Sequence, residues 1–504
     1  MSSKKYYVTT PIYYVNSKPH IGHAYTTVVA DILARYHRFK FGEKKVWFLT
    51  GTDEHGSKVA QSAEKAKQTP LQFATEVSLH FRDAWKNLNI SNNDFIRTTE
   101  TRHEHVVEEV LLQLKKAKTP KGNDFIYKGS YEGLYCVGCE AYKKETDLVD
   151  GMCVDHHCVP VLLKEDNWYF RLSDYVDVLK EVIIANKLNV FPQERRNEVE
   201  SFLNQGLEDV AISRQNVKWG IPVPWDVQQT VYVWVDALIN YISALGYPDG
   251  KAFWKFWPAD LQLLGKDILK FHCLIWPAML LALDIDLPKA LFVHGFFTID
   301  GKKISKTLGN VIDPNDLVNE FGVDGARYLI VSQFAFGQDG DIKANEFVTK
   351  YNADLANGLG NLVSRVLAMA EKYCGGKVPK KRFGQVIDLS KTWQAVDDNY
   401  SQFKIFENVK EIWSVIKWCD GYIDEKKPWA MDKEGRHDEV NQIIYNLLEI
   451  IRNIGWWVKP LMPETGAKIL ACLNEKDRKF AKAQKKALKP GTTLQKCEGL
   501  FPRK

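Results

Sequence analysis

Lys18-Pro19-His20-Ile21-Gly22-His23 is the stretch on which the reading of this 504-residue chain turns. Upstream of it, Lys5 to Val15 is rich in Tyr, Thr, Val and Ile, as a buried strand should be. Asn16-Ser17-Lys18-Pro19 breaks that pattern. From Ala24 to Phe41, apolar residues recur with near-helical spacing at Val28, Ile32, Leu33, Tyr36 and Phe39. His20 and His23 are therefore expected beside a helix N-terminus, where free N–H groups and the helix dipole favour phosphate. Gly22, lacking a side chain, lets a nucleotide approach the backbone closely. Alone, the tetrapeptide also fits a loop with two surface histidines.

Length and composition bound the rest. The length predicts three or four domains with ample core. The apolar share of 45% is that of an ordinary soluble protein. Net charge is only +5, so a nucleic-acid partner has to be met by local patches. Lys476, Arg478, Lys479, Lys482, Lys485, Lys486 and Lys489 form one patch, opposed by Asp477 alone. It reads as a solvated helix or as a contact for a phosphate backbone. Strand-like sequence starts almost at once, so no secretory or transit segment is expected. The most hydrophobic stretch, Cys273 to Leu283, is broken by Pro277 and too short to span a bilayer. Nine cysteines without a leader point to a reducing compartment, and the clustering of four of them suggests metal rather than disulfides.

Along the chain, Lys45 to Leu49 reads as a second buried strand ending in Thr50-Gly51-Thr52-Asp53-Glu54-His55-Gly56. In a doubly wound sheet such loops line the ligand crevice, which places Asp53 and His55 to meet a substrate, Asp53 as partner for an ammonium group. A further strand is expected at Asp94 to Arg97. Beyond Asp124 come short strands and turns carrying Cys136-x2-Cys139 and Cys153-x2-His156, a spacing that fits a structural zinc knuckle. Cys158 competes with His156 for the fourth position. A helical stretch is expected to follow to about Leu207, then an extended linker from Trp219 to Trp225, a strand from Val231 to Ala237 and a helix from Leu238 to Leu245. Leu261 to Asp267 is another strand-to-loop passage, and Leu291 to His294 feeds Gly301-Lys302-Lys303-Ile304-Ser305-Lys306-Thr307, a Gly-led basic loop with a hydroxyl. From about Asn352 the period is helical almost throughout. Asn361 and Arg365 are four apart, hence on one helix face. Strand–helix alternation, interrupted and then resumed, indicates a split nucleotide-binding domain.

Together, His20 to His23 and Lys302 to Thr307 resemble the HIGH and KMSKS signatures of class I aminoacyl-tRNA synthetases. The first matches in full; the second has Ile304 for Met and Thr307 for Ser. The resemblance covers nearly the whole chain, and within the class it points to the methionine-specific family. It is carried by Pro11 to Asn16, Gly51 to Gly56, Tyr232 to Ala237, the Cys136/Cys139 knuckle, Asn361 to Arg365, Lys427-Pro428-Trp429 and Leu500 to Arg503. Leu238 follows Ala237 where some members have Pro.

The resemblance implies an α/β fold: a split Rossmann-type parallel-sheet catalytic domain with a zinc-knuckle connective insertion, followed by an α-helical anticodon-binding bundle. Its divisions would be 1–116 and 231–298 for the catalytic halves, 117–230 for the insertion with the knuckle at 136–158, 299–351 for the basic-loop and stem-contact region, and 352–504 for the bundle. It further implies a ligase that activates L-methionine with Mg-ATP and transfers it to tRNA(Met), initiator and elongator. His20, His23, Lys303 and Lys306 would be catalytic. Gly22, Gly265, Asp267 and Ser305 would join them around ATP. Ile12, Tyr14, Asp53, Trp234, Ala237, Tyr241 and His272 would hold methionine, and Asn361, Arg365 and Trp429 would read the anticodon. One structural zinc is expected on Cys136, Cys139, Cys153 and His156. A cytoplasmic monomer is expected, since no C-terminal dimerisation module is evident.

Other readings fit less well. A cysteine-specific synthetase would carry a zinc-ligating cysteine where Thr9, Thr10 and Pro11 stand. Enzymes for isoleucine, leucine or valine need a larger editing insertion. Small nucleotidyltransferases share the first signature but lack the helical tail. A catalytically dead RNA-binding scaffold would not be expected to keep His20, His23, Lys303 and Lys306.

Overall fold

The computed structural model describes residues 4–136, 141–143, 145–154, 157–303, 310–476 and 478–504. Its centre is a six-stranded parallel sheet built from β1 (Tyr6–Tyr14), β2 (Val46–Asp53), β3 (Asp94–Arg97), β4 (Asn189–Phe191), β5 (Leu261–Gly265) and β6 (Ala290–His294). The order is β3-β2-β1-β5-β6-β4, with every neighbouring pair parallel. The chain moves outward from β1 to β3, then returns beside β1 at β5. That reversal opens a crevice at the carboxyl ends of β1 and β5, where open α/β sheets take their ligands. The strand expected at 94–97 is present with those bounds.

Helix α1 (Ile21–Phe41) starts three residues earlier than the apolar periodicity indicates, directly on His20. Helix α2 (Thr101–Lys116) follows β3. The interruption between sheet halves holds an antiparallel hairpin of Ile126–Cys136 with Val161–Phe170. The helical stretch expected to run to Leu207 therefore opens as a strand, since its hydrogen-bonding partner lies upstream, with Tyr135 opposite Val161 and Ile126 opposite Phe170. Between helices Val176–Ile184 and Gln193–Gln205, β4 leaves this region and becomes the edge strand beside β6. The expected strand from Val231 to Ala237 is also corrected. The strand ends at Val231, and α3 (Val233–Leu238) is helical despite its β-branched and aromatic residues. Burial of Val233, Val235, Asp236, Ala237 and Leu238 overrides local propensity there.

After β6 a small sheet joins Phe297–Ile299, Lys302–Lys303 and Gly340–Ile342. Its hairpin turns on Asp300 (φ 49°) and Gly301 (φ 77°), the two positive φ values of a type I′ turn. The Asp341 carboxylate secures the turn, accepting from the Gly301 N–H (2.8 Å) and the Thr298 hydroxyl (2.7 Å). The basic loop is thus held at its root.

The remainder is helical, as the periodicity indicates. It comprises α4 (Pro314–Val331), a π-helical passage Tyr351–Gly360, α5 (Asn361–Cys374), a helix Leu389–Ser401, α6 (Ile405–Lys426), α7 (Pro428–Lys433), α8 (His437–Val458) and α9 (Pro463–Cys472). Its core is continuous with that of the parallel sheet: Tyr36 of α1 stacks on Tyr400 at 4.3 Å and Phe39 on Trp456 at 5.4 Å. Arg327 of α4 is wholly buried at the junction. It pairs with Asp31 of α1 (2.7 Å) and donates to the carbonyls of Leu88 (3.2 Å), Pro460 (3.2 Å) and Leu461 (2.8 Å). Every donor group of a buried guanidinium needs such a partner, because an unpaired one costs several kcal/mol.

The chain end returns to the π-helical passage. Phe501 meets the edge of Tyr351, Arg503 donates to Asn357 Oδ1 (2.6 Å), and Lys504 exchanges hydrogen bonds with Asn352. Cys472 and Cys497, outside the clustered four, are joined by a disulfide with Cα atoms 5.5 Å apart, which the expected reducing compartment did not indicate. Cys472 is the last residue of α9 and Cys497 lies 25 residues further on, so folding of the C-terminal segment brings the pair together. In the basic stretch near the C-terminus, Phe480 packs on Phe39 and Trp393 while Lys482, Lys485 and Lys486 face solvent. No helix among the described residues is long and apolar enough to cross a membrane.

Candidate active site and its relatives

The two histidines of the first signature cap their own helix. His20 is the N-cap of α1, and its Nδ1 accepts from the Gly22 N–H (3.1 Å); His23 Nδ1 accepts from the His20 N–H (3.2 Å). This is a capping box in which imidazoles replace the usual hydroxyl and carboxamide. The rings stack at 3.8 Å. Because each Nδ1 accepts a backbone N–H, it carries no proton, and each ring's proton sits on Nε2. The site therefore offers two directed neutral N–H donors at a helix N-terminus. Burial, with His20 as the second cause, holds the His23 pKa well below 6.5, so the ring stays neutral at physiological pH. Tyr13 and Phe81 flank His23 at 5.0 and 5.4 Å between ring centres.

The crevice's other wall is β5 and the turn after it. A Cβ at Gly265 would lie 2.5 Å from Asp267 Oδ1, so glycine is what lets the chain fold back there. His294, at the end of β6, donates from Nδ1 to the Gly295 carbonyl (2.9 Å), and its Nε2 accepts from the Thr26 hydroxyl (2.8 Å). It ties the second half of the sheet to α1, and no sequence pattern marks it. The Ile21 N–H donates to the Ile312 carbonyl (2.9 Å), so the chain leaving the basic loop is anchored at the first signature. Ser305 and Lys306 lie outside the described residues, as does the side chain of Lys303.

The residues expected around methionine gather beside this crevice. Tyr14 and Asp53 are register partners where β1 and β2 end, and Ile12 opposes Gly51. Trp234 stacks on Phe271 at 4.5 Å. The Tyr241 hydroxyl donates to His272 Nε2 (2.7 Å), since His272 Nδ1 donates to the Ile268 carbonyl (3.0 Å). Tyr7 in turn donates to the Tyr241 carbonyl (2.8 Å). His55 is buried, with Nδ1 2.7 Å from Asp236 Oδ2. Glu54 is buried beside it and receives two hydrogen bonds from Arg97, at 2.8 and 2.9 Å.

Burial lowers the pKa of four imidazoles in the fold: His23, His37 to about 3, and His272 and His294 each to about 4. The unfolded chain takes up these protons below pH 6.5 and the folded chain does not. Stability is full above pH 6.5 and is lost as pH falls toward 4, with His272 and His294 each accounting for about 3 kcal/mol. His55, raised by Asp236 against its own burial, titrates in the opposite sense above pH 6.5. Tm is expected to fall steeply between pH 6.5 and 4.5, with uptake of about four protons on unfolding. A flat Tm across that range would contradict buried neutral imidazoles.

On the helical domain, Asn361 and Arg365 share one face of α5, and the Arg365 guanidinium lies 5.6 Å from the ring centre of Trp429 on α7. Trp429 is 40% exposed, high for a residue of its size. Asp424 of α6 holds Arg365 at 2.9 Å, a contact the sequence does not reveal. In the insertion, Cys136 at the end of the hairpin strand and Cys153 are buried, and Cys136 Sγ lies 3.6 Å from Cys158 Sγ. Cys139 and His156 lie outside the described residues.

A split parallel sheet with a histidine-capped helix at its switch point and a rooted basic loop opposite defines a class I tRNA synthetase. The family description "tRNA synthetases class I (M)" matches residues 6–158 and 139–367, and "Anticodon binding domain of methionyl tRNA ligase" matches 375–504. The chain is 42% identical over 510 residues to the methionine-tRNA ligase of Thermotoga maritima, covering 99% of this chain and 80% of that one. It is 41% identical to that of Streptomyces coelicolor, covering 99% of this chain and 97% of the relative. Methionyl-tRNA synthetase of Mycobacterium tuberculosis, solved with methionyl-adenylate, superposes with a TM-score of 0.93 at 38% identity, covering 99% of this chain and 100% of that one. The chain belongs to the methionine-tRNA ligase family. It activates methionine with ATP and charges tRNA.

Proposed function

We propose that the two steps are performed by the side chains named above, acting mainly through alignment and electrostatic stabilisation. In the first step a methionine carboxylate oxygen attacks the α-phosphorus of Mg-ATP. The bond to the pyrophosphate oxygen breaks, and methionyl-adenylate and pyrophosphate result. His20 and His23 donate from Nε2 to the α-phosphate region, where charge accumulates. Lys303 and Lys306 neutralise the departing pyrophosphate, with Ser305 assisting, and Gly265 and Asp267 receive the ribose. In the second step a terminal ribose hydroxyl of tRNA attacks the acyl carbon and AMP leaves. The observation that carries this reading is the reciprocal cap, which fixes both histidine tautomers as Nε2 donors.

Asp53 pairs with the α-ammonium, while Ile12, Tyr14, Trp234, Ala237, Tyr241 and His272 enclose the thioether. A large, flexible, nearly apolar group suits such an aromatic slot. Asn361, Arg365 and Trp429 read the anticodon of tRNA(Met), initiator and elongator alike, by stacking an unpaired base and bonding its edges. The chain acts as a cytoplasmic monomer. The test is methionine-dependent exchange of labelled pyrophosphate into ATP, run with each of the twenty amino acids without tRNA. Exchange driven by methionine alone is expected; exchange driven by another amino acid would discard this pocket and keep the class.

One zinc ion held by Cys136, Cys139, Cys153 and either His156 or Cys158 would brace the hairpin. The thiols that the structure places fit it. Two thiolates on one tetrahedral zinc stand roughly 3.8 Å apart at Zn–S bonds of about 2.3 Å, close to the Cys136–Cys158 approach of 3.6 Å. The Cys153 N–H to Cys158 carbonyl bond (2.9 Å) and the His157 N–H to Cys153 carbonyl bond (2.8 Å) close the turn between them. This approach supports Cys158 over His156. In the cobalt-substituted protein, Cys158→Ser is expected to lower the thiolate-to-cobalt absorption by about a quarter, one ligand in four, with His156→Ala neutral. The reverse pattern restores His156.

A further inference from the structure

Asp236 sits on α3, between the halves of the split sheet, with 1% of its side chain exposed. Its two carboxylate oxygens receive two different imidazoles. Oδ2 accepts from His55 Nδ1 at 2.7 Å, and Oδ1 accepts from His103 Nε2 at 2.7 Å. His103 is itself fully buried on α2, and its Nδ1 lies 2.8 Å from the Ser243 hydroxyl. The far side of His55 meets the edge of Trp219 at 5.3 Å, with Glu104 Oε1 4.0 Å from its Nε2. His55 and His103 hold the Asp236 carboxyl down to about 2 against its burial. Both imidazoles therefore donate to a permanent carboxylate.

The connectivity gives this cluster its meaning. His55 lies two residues after Asp53, and Asp236 lies two residues after Trp234 and one before Ala237. Opposite walls of the amino-acid pocket are joined behind the pocket by one hydrogen-bonded chain. Helix α3 needs such a clamp. It has six residues, three of them β-branched or aromatic in its first three positions, and a helix this short has little stability of its own.

We propose that Asp236 is a positioning residue for amino-acid binding: held by His55 and His103, it sets the placement of Trp234 and Ala237 relative to Asp53. The proposal rests on the pocket assignment made above. It concerns a residue that touches no substrate, so its loss acts through geometry, and displacements of about 1 Å cost up to 10²-fold.

The experiment is pyrophosphate exchange with the purified full chain, measuring KM for methionine and for ATP separately. Asp236→Asn places an amide N–H₂ where one imidazole N–H points. It is expected to raise the methionine KM about tenfold or more, with the ATP KM within about twofold. His103→Ala is expected to do the same, and His103→Gln, whose amide nitrogen reaches the place of Nε2, to bring the KM back to within about threefold. If Asp236→Asn does not fold, the His103 pair carries the test. An unchanged methionine KM in Asp236→Asn or His103→Ala overturns the proposal. So does an equal rise in both KM values, or an equal loss in His103→Gln and His103→Ala. Trp234→Ala separates the two layers: if it leaves the methionine KM unchanged, the pocket assignment itself fails; if it raises the KM while Asp236→Asn does not, only the clamp fails.

Discussion

His23→Ala is expected to slow methionine-dependent pyrophosphate exchange by about 10²–10³-fold, the usual effect of removing one directed donor from a centre where charge develops. Methionine affinity should stay within a few-fold, because His23 lies in the first turn of α1 and is not among the residues proposed to enclose methionine. Alanine also removes the acceptor for the His20 N–H, a bond of 3.2 Å, so part of the loss could come from the helix start. His23→Asn separates these roles. Its Oδ1 can take the place of Nδ1 in the cap, but it has no donor at the Nε2 position. The structure predicts that asparagine restores stability lost in the alanine variant, as read by Tm, without restoring the exchange rate. Recovery of rate by asparagine would move the chemistry from Nε2 to the cap.

Trp429→Ala is expected to lower kcat/KM for tRNA charging by one to two orders of magnitude, while pyrophosphate exchange stays at the parent value. The ring stands 40% exposed under the Arg365 guanidinium, and under the proposed anticodon role it receives the face of an unpaired base. Base–aromatic stacking contributes about 1–3 kcal/mol by alanine substitution. With so much of the ring already in water, its removal should alter Tm little. Equal losses in charging and exchange would instead show that α7 supports the fold at large, and the anticodon assignment would fall.

Much of this was legible in the chain itself. The strand–break–helix passage around His20 is a matter of local composition, and local composition is sufficient wherever one element follows another directly. The same holds for Asn361 and Arg365, whose spacing alone puts them on one helical face. The hairpin on Asp300 and Gly301 was not read, because its far strand is only Lys302–Lys303 and its third strand, Gly340–Ile342, lies some forty residues downstream. The sequence failed where a partner far along the chain decided the outcome. Val161 to Phe170 is a strand because Ile126 to Cys136 lies beside it. Val233 to Leu238 is helical because its apolar side chains are buried from several directions at once.

The supporting residues follow the same division. His20 and His23, three residues apart, could be read as a pair. Their tautomers could not, because those depend on which backbone N–H each Nδ1 accepts. His103, His294, Arg327 and Asp424 carry no motif, Asp236 lies in one that does not reveal its partners, and each is defined by a contact across more than fifty residues. The residues alone indicated a nucleotide-binding α/β chain with a helical tail, since paired histidines at a helix start and a Gly-led basic loop are matters of residue type and short spacing, and the family resemblance supplied the anticodon reading of Asn361, Arg365 and Trp429. Only the tertiary structure decided how those groups are held, because buried charges and imidazoles take their protonation and direction from neighbours that folding alone brings near.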